Sequence, residues 1–208
     1  MRYNYGMILY FTRHGESEWN LAHRVQGQHD SPLTENGVQM ARQLKKRLDG
    51  LPFTRCYVSP LGRAMQTAEI LTEGTGIVPQ ADPRIEEVNL GEMEEKIMEE
   101  LPPEILHAFY HEPQNCHPRG GEGYEAAFAR VSDLMRELET EDGCVLLVAH
   151  ALILRLIRLY LLKLPISDMM KVYTPGCCYC EARYQNGEWR LIAFAETGQP
   201  PADGPVYL

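Results

Sequence analysis

The chain has 208 residues, 44% hydrophobic and 24% charged, with a formal net charge of -9. That length and balance suit one globular α/β domain spanning residues 1–208 and exclude a disordered chain. The acidic excess, with a pI near 5.3, argues against non-specific attraction to nucleic acid or to an anionic membrane, so any bound anion must meet a local cluster of cations.

Residues 1–12 could imitate a signal peptide. The apolar run is short, the basic region is the single Arg2, and no small-residue cleavage site follows, so "GMILYFT" reads as a first buried strand. It delivers Arg13 and His14 side by side at its C-terminal end, before the turn residue Gly15. Thr34 is placed to cap a helix with the apolar stripe Val38, Ala41, Leu44 and Leu48. "TRCYVS" reads as a second strand, with Ser59 as cap and Pro60 as first residue of a helix through Leu71. "RIEEVNLGE" sets Glu86 and Glu87 on a strand-to-loop transition. The spacing of Tyr124, Phe128, Val131, Met135 and Leu138 predicts a helix over 122–138. "CVLLVAH" is a continuous apolar strand that closes on His150. The apolar run after it, Ala151 to Leu162, is broken by Arg155 and Arg158 and is too short to span a membrane. Strands near Cys177 to Tyr184 and Trp189 to Phe194 are joined by Asn186-Gly187, a hairpin turn. The tail, residues 197–208, reads as extended and mobile.

Ligands of an open parallel sheet bind outside the carboxyl ends of its strands. Three such ends carry Arg13 with His14, Ser59 with Arg63, and His150, which together suit a dianion. Arginine offers paired donors to phosphate oxygens, and helix N-termini add backbone N–H groups. Next to them a histidine can be acid, base, metal ligand or nucleophile. Two arginines would repel a dication and no carboxylate pair lies at ligand spacing, so attack by neutral His14 on phosphorus is the sharper reading. Glu86 and Glu87 are candidate proton donors. The six cysteines lack paired C-x-x-C spacing, and "CCYC" sits in strand-like alternation, so they read as thiols of a reducing compartment, the cytoplasm, rather than disulfides or metal ligands.

The segments "TRHGESEWN", "QGQHDSPLTENG", "SPLGRAMQTA", "EEVNLGE", "GGEGYEAAFARV" and "VLLVAH" resemble, in order, the motifs of the histidine phosphatase superfamily, also called phosphoglycerate mutase-like. The resemblance covers roughly Met7 to Tyr160. It implies a three-layer α/β/α sandwich on a mostly parallel sheet, with His14 as nucleophile and Arg13, Arg63 and His150 holding the phosphoryl oxygens. Glu87 matches the carboxylate that protonates the leaving oxygen and then deprotonates water, because Val88, Asn89, Leu90 and Gly91 fit the frame that follows the family's acid. Glu86 is then solvated. Asn20 matches a further phosphate contact. Gln26 and Gly27 read either as plain turn chemistry or as the substrate lip, and Gly120-Gly121-Glu122 reads as a loop feeding a helix cap, although the family often uses this carboxylate near the substrate. No metal and no cofactor are implied.

Three departures bear on substrate shape: Ala151 stands where the family commonly has Gly, Met93-Glu94-Glu95 where it has Trp-Glu-Gly, and Met40 where it has Gln. Mutases of the family carry a longer insertion between the acid and the Gly-Gly-Glu segment than Val88 to Arg119. The expectation is therefore a metal-independent phosphatase of small phosphate esters, with a phosphoglycerate mutase-type phosphotransferase or a non-catalytic ester binder as alternatives. A small helical lid over about 92–121 is expected to set Leu101, Pro102, Pro103, Leu106, Phe109 and Tyr110 against the leaving group, or to form a second small core. His23 and His29 lie on a loop that must cross the site. The physiological ester and the oligomeric state, a homodimer included, stay open at this point.

Overall fold

The computed structural model describes residues 6–196; the tail reading for 197–208 lies outside them. In chain order the elements are β1 (Met7–Arg13), α1 (Glu18–Leu21), α2 (Glu35–Leu48), β2 (Arg55–Val58), α3 (Gly62–Thr72), β3 (Gln80–Ala81), α4 (Pro103–His111), α5 (Tyr124–Leu138), β4 (Gly143–Ala149), α6 (Ala151–Leu162), β5 (Tyr179–Gln185) and β6 (Glu188–Glu196). The sheet order is β3-β2-β4-β1-β5-β6. The first four of these strands run parallel, while β5 and β6 are antiparallel additions along one side. Asn186 and Gly187 both take positive φ at the β5–β6 turn, as a tight hairpin requires.

Strand alternation divides the interior. Met7, Leu9, Phe11, Val145, Leu147 and Ala149 face the larger core with α5 and α6, while Tyr10, Leu146, Val148, Cys56 and Val58 face the smaller core with α2 and α3. The result is an α/β sandwich with helices on both faces of a mostly parallel sheet. No helix among the described residues is long and apolar enough to cross a membrane, and all six cysteines are free thiols.

Local readings are corrected in three places. Thr34 caps α2 by accepting from Gly37 N–H, but Gly37 rather than Val38 joins Ala41, Leu44 and Leu48 on the buried face. Ser59 and Pro60 do not open α3, whose cap position is Leu61; Ser59 is diverted to a histidine, as described below. No strand leads into Glu86 and Glu87. A single 3-10 turn, Pro83–Ile85, capped by Asp82, precedes them, because the aspartate carboxylate accepts from Arg84 N–H and pairs with its guanidinium.

The segment after Gly91 holds α4 and short 3-10 turns at Gly91–Met93, Met98–Glu100 and Pro113–Asn115. Leu101 and Phe109 are drawn into the larger core with Leu106 and Tyr110 packed on it, so they are not where the leaving group was expected to meet them.

Candidate active site

The C-terminal ends of β1, β2 and β4 converge on one pocket, lined near its floor by Arg13, His14, Arg63 and Glu87. The backbone of His14 is locked by its N–H to Ala149 O at 2.9 Å, which continues the β1–β4 ladder past its last pair. Gly15 follows because its α-carbon faces the Gly37 backbone of α2; an added Cβ would sit 2.5 Å from Gly37 O. Its N–H is taken by Thr67 of α3.

The ring of His14 is buried, with Nδ1 2.6 Å from the carbonyl oxygen of Gly15. A carbonyl only accepts, so Nδ1 carries the hydrogen and Nε2 presents its lone pair. Arg63 Nε donates toward that Nε2 at 3.3 Å. Burial, then the charges of Arg63 and Arg13, hold His14 well below the usual imidazole range. A neutral imidazole with a lone pair at Nε2 is the nucleophilic form.

Arg13 is buried beneath it and gives Nη1 to Thr174 O at 2.9 Å, while its Nε has no hydrogen-bond partner among the described residues. Arg63 is aimed by the loop ahead of α2, donating to Gly27 O, His29 O and the Asp30 carboxylate. His150, at the end of β4, is wholly buried with its ring centroid 5.1 Å from that of His14. Its Nε2 lies 2.7 Å from Ser59 Oγ, and its Nδ1 has no partner among the described residues. Burial and the neighbouring Arg63 and His14 keep His150 neutral as well.

Glu87 is 7% exposed and faces this group from the loop after the 3-10 turn. One carboxylate oxygen accepts from Val88 N–H at 2.9 Å, and the other is 3.4 Å from Leu152 N at the start of α6. Burial raises its pKa above the ordinary glutamate value; those two N–H groups and the charges of Arg63 and Arg13 oppose the rise. Glu86 is half-buried and outside the lining residues.

Of the other residues singled out in the sequence, Asn20, Gln26, Gly27 and Ala151 line the pocket. Asn20 Oδ1 accepts from Ser17 N–H and Ser17 Oγ in a reciprocal capping box on α1. Gln26 is held by the Ser31 hydroxyl. Gly27 has φ +50 and lies so close to the Glu94 carboxylate that a Cβ would collide with it. Glu122 is not among the lining residues. It accepts from Asn89 N–H and pairs with Arg130, whose guanidinium also donates to the carbonyls of Arg84, Glu86 and Glu87. Its place is behind the loop that carries Glu87. His23 reaches the lining, whereas His29 stacks on Trp19 between Glu94 and Glu95. Sequence reasoning passed over Arg24, Met98 and Leu152, which line the pocket, and the link from Ser59 to His150. A lone Arg four residues past Asn20 carries no motif by spacing, and a serine before proline gives the same local signal whether it caps a helix or bonds a distant ring. Among the described residues no group of three or more His, Cys, Asp or Glu side chains is placed to hold a metal ion.

Residues 9–197 match the family model of the histidine phosphatase superfamily, branch 1. A probable phosphoglycerate mutase, GpmB, of Yersinia pestis (strain Pestoides F) is 32% identical over 194 residues, covering 87% of this chain and 86% of the relative. Among solved structures, YhfR of Bacillus stearothermophilus superimposes with a TM-score of 0.88 at 30% identity, covering 93% of this chain and 98% of the other. A mycobacterial glucosyl-3-phosphoglycerate phosphatase gives a TM-score of 0.83 at 28% identity, over 91% and 99% of the two chains.

Proposed function

The chain belongs to the histidine phosphatase superfamily and is a phosphoric monoester hydrolase of that family; from this premise we propose that it hydrolyses small phosphate esters through a phosphohistidine on His14, without a metal ion. The observation that carries the proposal is the neutral His14 ring, its Nε2 lone pair set by the Gly15 carbonyl and flanked by the buried Arg13 and Arg63. Two buried donors beside it fit the same reading. Arg13 Nε lacks a partner among the described residues, and so does His150 Nδ1, which carries a hydrogen when the Ser59 hydroxyl donates to Nε2. Phosphoryl oxygens would accept from both.

In the first step Nε2 attacks phosphorus, the ester P–O bond breaks, and Glu87 gives its proton to the departing oxygen. In the second, the Glu87 carboxylate takes a proton from water as that water attacks phosphorus, the P–N bond breaks, and neutral His14 and inorganic phosphate are left. The raised pKa of Glu87 suits a group that must alternate between the two forms. Asn20, Gln26 and Gly27 are proposed to contact the bound ester from the lip.

The test is phosphate release from p-nitrophenyl phosphate in excess EDTA, comparing the native chain with His14→Ala. Release that persists in chelator and disappears in the variant is the expected result, and abolition by chelator would overturn it. The name of the Yersinia relative favours a second reading, in which an alcohol rather than water accepts the phosphoryl group. That reading predicts interconversion of 2- and 3-phosphoglycerate with no phosphate released.

A further inference from the structure

The run "CCYC", Cys177 to Cys180, contributes no group to phosphoryl transfer, yet the fold sets it against the phosphate cradle. Cys178 and Cys180 are two residues apart, so extended chain turns both side chains to one face of the sheet. Their sulfurs lie 3.9 Å apart in the larger core, both as free thiols. A disulfide needs about 2.05 Å, so each sulfur has about 1 Å to travel. The β5–β6 ladder slips its register between Tyr179 and Glu181, around Cys180 itself, where an irregular backbone can shorten.

The two thiols are not equivalent. Donation from the Cys180 thiol, opposed by burial, holds Cys178 below the ordinary thiol value, and the Arg13 backbone and charge act in the same direction. Burial, then that donated hydrogen bond, pushes Cys180 up. Cys178 is therefore the nucleophile of the pair and Cys180 the resolving thiol. The turn that carries Cys178 is also fastened to the site. Cys177 N–H donates to Arg13 O at 3.0 Å, Thr174 O accepts Arg13 Nη1 at 2.9 Å, and a Cβ on Gly176 would lie 3.2 Å from His14 O. Drawing Cys178 toward Cys180 pulls on the segment that aims Arg13.

We propose that Cys178 and Cys180 are an oxidative modification site, at which a hydroperoxide converts the two thiols into a disulfide and thereby loosens Arg13 in the phosphate cradle. The Cys178 thiolate attacks one oxygen of hydrogen peroxide, the O–O bond breaks, and the departing hydroxide takes up the proton that Cys178 released. The Cys180 sulfur then attacks the sulfenic acid. The S–S bond forms, the S–O bond breaks, and the second hydroxide takes the Cys180 proton, so two thiols and one peroxide give one disulfide and two waters. The sulfurs lose the two electrons that the peroxide gains. Both thiols are buried, so the oxidant enters by local opening at half-buried Cys177, whose left-handed φ of 48° is unfavourable for a residue with a Cβ. Alpha carbons two apart in a strand are about 6.6 Å apart, near the long end of what a disulfide spans. The bond is therefore strained, and a dithiol reverses it.

The test treats the native chain with hydrogen peroxide in excess EDTA. Remaining thiols are alkylated in denaturant and counted by mass spectrometry, and the affinity for inorganic phosphate is measured calorimetrically. The expected result is loss of two of the six thiols, with phosphate binding weaker by about tenfold, the scale of one charge-assisted hydrogen bond. Dithiothreitol restores both. Cys178→Ala should keep its remaining thiols and its phosphate affinity, Cys180→Ala should stop at a sulfenic acid that dimedone traps on Cys178, and Cys177→Ala should respond as the native chain does. Cys178→Ser replaces the alanine variant if that variant does not fold. Six thiols after treatment, a response that survives loss of Cys178, or a disulfide that leaves phosphate affinity unchanged would overturn the proposal. The hydrolase reading is decided separately, by turnover of p-nitrophenyl phosphate in the reduced chain.

Discussion

At the scale of single residues, the proposed chemistry turns on two side chains whose pKa values burial pushes in opposite directions. Burial favours the neutral form of both, so His14 keeps its lone pair while Glu87 keeps its proton further up the pH scale than an exposed glutamate. Removing only the titration of Glu87 therefore separates the two half-reactions. In Glu87→Gln, p-nitrophenolate can still leave, since it needs no proton, but the water that must clear the phosphohistidine has no base. Rapid-quench kinetics should show a burst of up to one equivalent of p-nitrophenol followed by a steady rate lower by about 10²- to 10⁴-fold. A steady rate left unchanged by the substitution would place Glu87 outside the proton path. The place of Arg13 and His14 was legible from the chain because an apolar run that ends on an arginine and a histidine marks a strand end, where a sheet binds ligands. Ser59 was misread because its partner, His150, is 91 positions away. No local pattern carries that information.

Between elements, the site depends on how the loop of residues 26–30 is fastened to the loop that carries Glu87. Glu94 is the fastener. Its side chain is 7% exposed, and one oxygen accepts both Leu90 N–H at 2.8 Å and Gln28 N–H at 3.1 Å. Gln28 returns the link through its amide to Glu87 O, while the neighbouring Gly27 O, His29 O and Asp30 hold Arg63. Glu94→Ala would strand two backbone donors, costing about 2 kcal/mol or more, and would release Arg63 from its aim. The expected outcome is a lower urea midpoint together with weaker competitive inhibition by inorganic phosphate. Glu94→Gln, which keeps an acceptor oxygen, should restore most of both; failure to do so would mean that the charge matters rather than the hydrogen bonds. Apart from the two-residue β3, the strands were readable from continuous apolar runs or a period of two, and the long helices from a period of three to four. Within Pro83 to Asn115 the helical character of residues 92–121 was read and α4 bears it out, but the 3-10 turns were not, because they are set by contacts such as Glu94 with Gln28, which only the assembled fold brings together. Its apolar residues followed the same logic: they look available for a ligand in the sequence, yet Leu101 and Phe109 gain more by completing the core.

The whole molecule bears the consequence of burying two neutral imidazoles in one site. An unfolded chain protonates histidine near pH 6.5, whereas His14 and His150 resist protonation until well below that when folded. As the pH falls below 6.5 the unfolded state binds more protons, so stability declines by up to about 1.4 kcal/mol per pH unit for each histidine. Glu87 acts in the opposite sense. Its folded pKa is raised, so its contribution is present at low pH and is lost as the pH rises through that value. Two groups against one leave a net loss toward acid. Urea denaturation at pH 7.5 and pH 5.5 should therefore show a clear drop in unfolding free energy. His14→Gln, which fills the same region with a side chain that cannot titrate, should shrink that drop by up to the share of one histidine. An unchanged drop would mean that His14 takes up a proton in the folded state as readily as in the unfolded one, and the neutral nucleophile on which the first chemical step depends would have to be given up.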